Sequence, residues 1–206
     1  MPAHDWVYRT LRTEIMHGEL PPGRALTIRG IADRFEVSMT PSREAVRRLT
    51  AEGALTLSKT GRVSAPQLSN DRIEELASIR ALLEPELAKR AKPRAHLALI
   101  ERLSGINSTC EKAIVKNDPV GYISANLDFH RTLYLRAQAP ALLAMVETLW
   151  LQLGPTMSAL YARLQRSNAT ENHRKALSAL KVGDEPSLML AIRADVTQGL
   201  RMLSEQ

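Results

Sequence analysis

From Ser69 onward the sequence carries long helical periodicity and almost no strand signal, so this stretch must bury itself by packing helix on helix. Breaks at Lys92-Pro93, Asn117-Asp118-Pro119, Pro140, Ser167-Asn168 and Gly183-Asp184-Glu185-Pro186 divide it into six helices, at about 70–91, 94–115, 118–138, 140–164, 170–182 and 186–204. Gly154-Pro155 is expected to kink the fourth. Upstream of Ala65-Pro66-Gln67-Leu68-Ser69-Asn70 the texture changes to short helical patterns and one β-like stretch. Proline closes that segment, and Ser69 or Asn70 can cap the helix that follows. The chain therefore reads as two domains, 1–66 and 71–206, with a linker at 67–70.

In the first domain, Trp6 to His17 reads as a helix stopped by Gly18 and the Pro21-Pro22-Gly23 turn. Leu26-Thr27 leads into a short helix from Ile28 to about Phe35, with Ile31 and Ala32 facing inward. After the Val37-Ser38 turn, Ser38 is a good N-cap for a second helix, whose first turn tolerates Pro41 and which ends at Gly53. Leu55-Thr56-Leu57 and Arg62-Val63-Ser64 then flank Ser58-Lys59-Thr60-Gly61, a hairpin. Two short helices joined by a tight turn and followed by a hairpin make a winged helix-turn-helix. The fold class is mainly α: that module, followed by an all-α helical bundle.

The net charge of +6 favours an anionic partner. It does not locate one, because residues 1–69 (10 basic, 7 acidic) and the remainder (18 basic, 15 acidic) each carry +3. No apolar run approaches the roughly 18 residues of a spanning helix, and Met1 to Trp6 lacks a basic-then-apolar signal, so the cytoplasm is expected. The single cysteine, Cys110, excludes an internal disulfide and a cysteine-based zinc knuckle, and it reads as a small helix residue.

On the second helix of the first domain, Ala45, Val46 and Leu49 point to a core, while Arg43 and Arg47 share another face. Met39 and Thr40 sit at its N-terminal tip, the end that enters a major groove and whose free N–H groups favour phosphate. An arginine fork grips guanine or phosphate bidentately. The bland reading is a solvated arginine face.

In the helical domain, polar residues within apolar stripes are the informative exceptions. Asn126 and His130 stack four apart among Ile123, Phe129, Leu133 and Tyr134. His173 lies on a stripe with Leu177 and Leu180, and Asp195 interrupts Leu188, Ile192, Gly199 and Met202. His173 and Asp195 are equidistant from Asp184 in the turn, each about 16 Å along its own antiparallel helix, so they should face each other. With Asn126 and His130 they offer a mixed nitrogen and oxygen site for a divalent metal. The alternative is hydrogen-bonded core histidines, with Asp195 paired to an arginine. Arg80 falls on the stripe Ile73, Leu76, Leu83, Leu87, either snorkelling to the surface or anchoring an effector carboxylate. His4, His17 and His96 read as solvent-facing.

The run Ile15-Met16-His17-Gly18-Glu19-Leu20-Pro21-Pro22-Gly23, then Ile31-Ala32, then Val37 through Leu49 and Glu52-Gly53, closely resembles GntR-family regulators. The helical remainder resembles the FCD ligand-binding domain of the FadR-like branch, and six helices suit its VanR-like variant. The resemblance implies DNA contacts at Arg29, Thr40 and Arg43, with Gly61 of the wing reaching the minor groove. It places Met39 where the family usually has a base-reading arginine; methionine donates no hydrogen bond but can touch a thymine methyl. It also implies a metal site of Asp or Asn followed by three histidines, in which Asn126 is a common variant and Asp195 replaces the third histidine. Zinc, nickel and manganese are the candidate ions. A homodimer on a pseudo-palindromic operator in double-stranded DNA, switched by a small-molecule effector (an organic acid), follows from the same precedent.

Two other readings compete. One is a metal-dependent hydrolase with a fused DNA-binding module, although no Glu or His beyond the ligands is placed as a general base. The other keeps the DNA binding and makes the metal purely structural.

Overall fold

The computed structural model describes residues 1–58, 61–164 and 169–204, with side chains described except at 162–164 and 199–204. Lys59 and Thr60 of the expected hairpin, the break at Ser167-Asn168, and the Gly199 and Met202 positions of the Asp195 stripe therefore lie outside what is described. The chain forms two compact units: Met1–Leu68 with Trp150–Ser158, and Ser69–Leu149 with Ala159–Gln206.

In the first unit, α1 (Ala3–Met16) presents Val7, Leu11 and Ile15, a helical i, i+4, i+8 stripe, to the core. It begins three residues earlier than the apolar pattern suggests. Next come α2 (Ile28–Arg34), α3 (Met39–Ala51) and a three-stranded antiparallel sheet of β1 (Ala25–Leu26), β2 (Thr56–Leu57) and β3 (Val63–Ser64), in the order β1-β3-β2. β1 was not expected; two residues carry no period, and only the pairing of Ala25 with Ser64 and Leu26 with Val63 reveals the strand. Thr27 caps α2, its Oγ1 accepting the Gly30 N–H at 2.9 Å. Ile31, Ala32, Ala45, Val46 and Leu49 are all buried, as their periodicity requires. Ser38 holds the N-cap position of α3, but its side chain makes no capping hydrogen bond, contrary to expectation.

Ion pairs fasten α1 to its neighbours. Arg48 donates to Asp5 at 3.0 Å and lies 3.7 Å over the Tyr8 ring; Tyr8 donates to Glu52 at 2.5 Å; Arg34 is paired with Glu14.

The second unit contains α4 (Asn70–Ala91), α5 (Leu97–Val115), α6 (Pro119–Tyr134), α7 (Pro140–Leu164, whose middle belongs to the first unit), α8 (Glu171–Val182) and α9 (Glu185–Ser204). Ser69 caps α4, accepting the Arg72 N–H. The expected helices 94–115 and 118–138 are each trimmed by a 3₁₀ turn, at Lys92–Arg94 and Leu135–Ala137. Gln138 in the left-handed region turns the chain before Pro140. Asp118 caps α6 with Pro119 at its start. His96 is exposed yet occupied: its Nδ1 caps α5. His17 is half-buried rather than solvent-facing, and burial pushes its pKa down. Pro155 sits inside α7, which remains a helix through it.

The α8–α9 hairpin is built as its residues dictate. Gly183 takes φ 74°, which a side chain would resist, and ends α8; Asp184 then accepts from the Ser187 N–H at 3.0 Å and its hydroxyl at 2.6 Å to start α9. That turn sets the register of His173 against Asp195.

Candidate functional site

His130 Nε2 lies 2.9 Å from Asp195 Oδ2, His173 Nε2 lies 3.8 Å from the same oxygen, and the two Nε2 atoms are 3.4 Å apart. Both histidines are fully buried and the Asp195 side chain is 8% exposed. One ligand atom from each of the three falls within 4.8 Å of the others, an arrangement that could hold a metal ion.

Counting protons says what those atoms offer. Burial and the neighbouring Glu84 raise the Tyr134 phenol well above 10, so it keeps its single proton. It donates that proton to Glu84 Oε2 at 2.9 Å, because a carboxylate only accepts. The phenolic oxygen must then accept from His130 Nδ1, 3.0 Å away. The other histidine is fixed likewise. Asn107 Nδ2 donates to Glu111 at 3.1 Å, which turns Asn107 Oδ1 toward His173 Nδ1 at 3.0 Å, so His173 Nδ1 donates. Phe129 stacks on the His173 ring at 3.9 Å and holds its plane.

With Nδ1 engaged on both rings, the Nε2 of each faces Asp195. His130 Nε2, His173 Nε2 and Asp195 Oδ2 converge on one point, where a shared proton or a bound cation would satisfy all three. Orientation of ligating histidines through their far nitrogen is the usual support of a metal site.

The charges agree. Burial pushes His173 down to about 4, overriding the attraction of Asp195, so this imidazole is neutral near pH 7. Burial alone would raise the Asp195 carboxyl, but His173, His130 and Arg80 outweigh it and hold it below its ordinary value. Asn126, one turn before His130 on α6, is buried.

Arg80 is buried and does not reach the surface; its Nε donates to Glu84 Oε1 at 2.6 Å. Burial works against its charge, but Glu84 restores it, and Tyr134 and Asp195 add to the pull. The partners missed in the sequence are thus Glu84, Tyr134, Asn107 and Glu111. Asn107, a polar residue on an apolar stripe of α5, carried a usable signal; Glu84 resembled any exposed partner four residues after an arginine.

At the other candidate site, Ser38, Met39, Thr40, Arg43 and Arg47 on α3 are all exposed, as are Arg29 on α2 and Gly61 in the wing. Met39 is 41% exposed, so its side chain is free to meet a partner. Among the described residues Arg29, Arg43 and Arg47 form no ion pair, whereas Arg34 and Arg48 are tied to α1. The fold spends some arginines internally and leaves these three to solvent.

Comparison with known proteins matches residues 4–63 to the model "Bacterial regulatory proteins, gntR family" and residues 75–198 to the FCD domain. The HTH-type transcriptional regulator McbR of Escherichia coli is 27% identical over 203 residues, covering 97% of this chain and 92% of that protein. The gluconate operon transcriptional repressor of Bacillus subtilis is 27% identical over 192 residues, 88% and 77% of the two chains. Among solved structures, E. coli McbR/YncC superposes with a TM-score of 0.91 at 26% identity, covering 100% of this chain and 99% of that one. A GntR regulator from Rhodococcus sp. RHA1 superposes at 0.81 and 17% identity, over 98% of each chain, a likeness of fold. These relatives are named as regulators and repressors, which supports no hydrolase reading. The chain belongs to the GntR family, as a DNA-binding transcriptional regulator whose winged helix-turn-helix is followed by an FCD domain.

Proposed function

We propose that the chain is a cytoplasmic, homodimeric repressor or activator that reads a pseudo-palindromic operator through residues 1–66 and is switched by a metal-dependent organic-acid site in residues 71–206, with 67–70 as linker. The observation that carries the switch is the convergence of His130 Nε2 and His173 Nε2 on Asp195, with both far nitrogens already engaged. His130, His173 and Asp195 would ligate a divalent ion, with Asn126 supplying a fourth donor from the same face as His130. Two nitrogens with oxygen donors suit zinc, nickel or manganese.

Charge supports an anionic effector. Arg80 and Glu84 cancel, and a divalent ion against Asp195 leaves one net positive charge in a buried setting, which a carboxylate neutralises. The ion would supply the inner anchor for that carboxylate, and Arg80, whose charge already acts on Asp195, the outer one.

On the DNA side, the exposed Arg43 and Arg47 would enter the major groove with Met39 and Thr40 at the tip. The open N-terminus at Ser38 and Arg29 would meet phosphates, and Gly61 would bring the wing to the minor groove. Recognition helices of a two-fold dimer would fall one DNA turn apart, about 34 Å.

The test is a binding selection on randomised duplexes, run with chelated and with metal-loaded chain. The proposal expects an inverted-repeat site, and a selected-site affinity that shifts with an added carboxylic acid only when metal is present. A structural metal would instead lower the melting temperature on chelation and leave the acid response unchanged.

A further inference from the structure

The first compact unit is not finished by the first 68 residues. Leu151 of α7 is fully buried in the same apolar core as Val7, Ile15 and Leu49. Gln152 Nε2 donates to the backbone carbonyl of Glu52 at 3.0 Å, capping the C-terminal end of α3. Ser158 Oγ donates to the carbonyl of Gly18 at 2.7 Å, just beyond α1. Between them, Gly154 lies directly on the end of α1: an added Cβ would collide with the Ile15 carbonyl oxygen and stand 2.8 Å from Met16 Cα. Backbone cannot yield as a flexible side chain can.

We infer that Trp150–Ser158 is a working part of the DNA-reading unit, with Gln152 and Gly154 as positioning residues that fix α3 and α1 for recognition. The inference rests on the reading that α3 carries the base contacts. Gln152 holds α3 from the end opposite its DNA-facing tip, and Gly154 and Ser158 hold α1, which is itself bound to α3 through Tyr8–Glu52 and Asp5–Arg48. A helix gripped at its far end keeps its angle in the groove, and base readout depends on angle more than phosphate attraction does.

The experiment uses the full chain and a duplex site selected with the parent protein, measured against a scrambled duplex at matched salt and well below melting. Gln152→Glu keeps the shape, removes the donor and sets a negative charge against the negative end of α3; the selected-site affinity should fall about tenfold, with scrambled-duplex affinity within about twofold. Gln152→Lys restores an N–H donor and should recover most of that loss. Gly154→Ala should lose more of the selected-site affinity than Gln152→Glu, because backbone has to move. Arg43→Ala runs alongside. If Arg43→Ala binds like the parent, the α3 reading itself fails. If Arg43→Ala weakens the selected site while Gln152→Glu and Gly154→Ala match the parent, or lose both duplexes equally, this inference is overturned and the α3 reading stands.

Discussion

Replacing Tyr134 by phenylalanine removes one oxygen from the middle of the buried chain that runs from Arg80 to His173. The ring volume is kept, so no cavity opens and the effect isolates the hydroxyl. In the parent that oxygen accepts from His130 Nδ1 at 3.0 Å and donates to Glu84 Oε2 at 2.9 Å, and Tyr134 is 1% exposed. Without it His130 Nδ1 loses its contact with the phenolic oxygen, while Glu84 still holds Arg80. Loss of two hydrogen bonds from a buried chain, one of them to a carboxylate, should cost about 2–3 kcal/mol of stability. At about 2–4 °C per kcal/mol for a chain of this size, the melting temperature of the metal-free protein should drop by about 4–12 °C. The second consequence is on the site: His130 is no longer held in one tautomer and orientation, and metal affinity should fall about 10–100-fold. Thermal unfolding of the chelated protein and titration of zinc into it measure the two effects separately. A Tyr134→Phe protein matching the parent in both would refute the proton count on which the site rests.

Other outcomes follow from single side chains. Arg43→Ala should weaken selected-operator binding by about 1–3 kcal/mol without lowering the melting temperature, measured by gel shift at fixed salt. Arg48→Ala should cost up to about 1 kcal/mol of stability through the lost Asp5 pair and Tyr8 contact, measured by thermal unfolding. Met39→Arg supplies a donor fork at the tip of α3 and should move preference toward guanine at one position per half-site in a binding selection. Burial pushes the Cys110 thiol up to about 12, so the folded chain should resist a maleimide at pH 8 and react once denatured, as mass spectrometry would show.

Much of this was legible in the sequence because it follows from local period and turn chemistry. The facing of His173 and Asp195 needed only a capped hairpin and two equal helix lengths, and both residues stand on one ligand cluster. The Ala45, Val46, Leu49 stripe separated the core face of α3 from its arginine face in the same way. What escaped was whatever depends on packing between distant segments. Arg80 had two sequence readings, surface and anchor, and neither named Glu84, because an Arg–Glu pair four apart looks the same whether it is wet or buried. Tyr134 was visible as a core aromatic, but its hydroxyl gains meaning only when α4 brings Glu84 to it from 50 residues away. Leu151, Gln152 and Gly154 lie in a helix whose periodicity belongs to the second domain, and no local pattern says that its middle completes the first unit. The strand Ala25–Leu26 is too short to have a period at all.

The most direct measurement of the central claim is metal binding by the purified chain. The protein is chelated, titrated with zinc, nickel and manganese, then dialysed and analysed by mass spectrometry under non-denaturing conditions. The account predicts one ion per chain, retention in Asp195→His with selectivity moved toward metals that prefer imidazole, and loss of most affinity in His173→Ala, which removes one of two nitrogen ligands. A folded parent chain that takes up none of the three ions, and an operator response unchanged in His173→Ala, would reduce His130, His173 and Asp195 to a hydrogen-bonded core cluster.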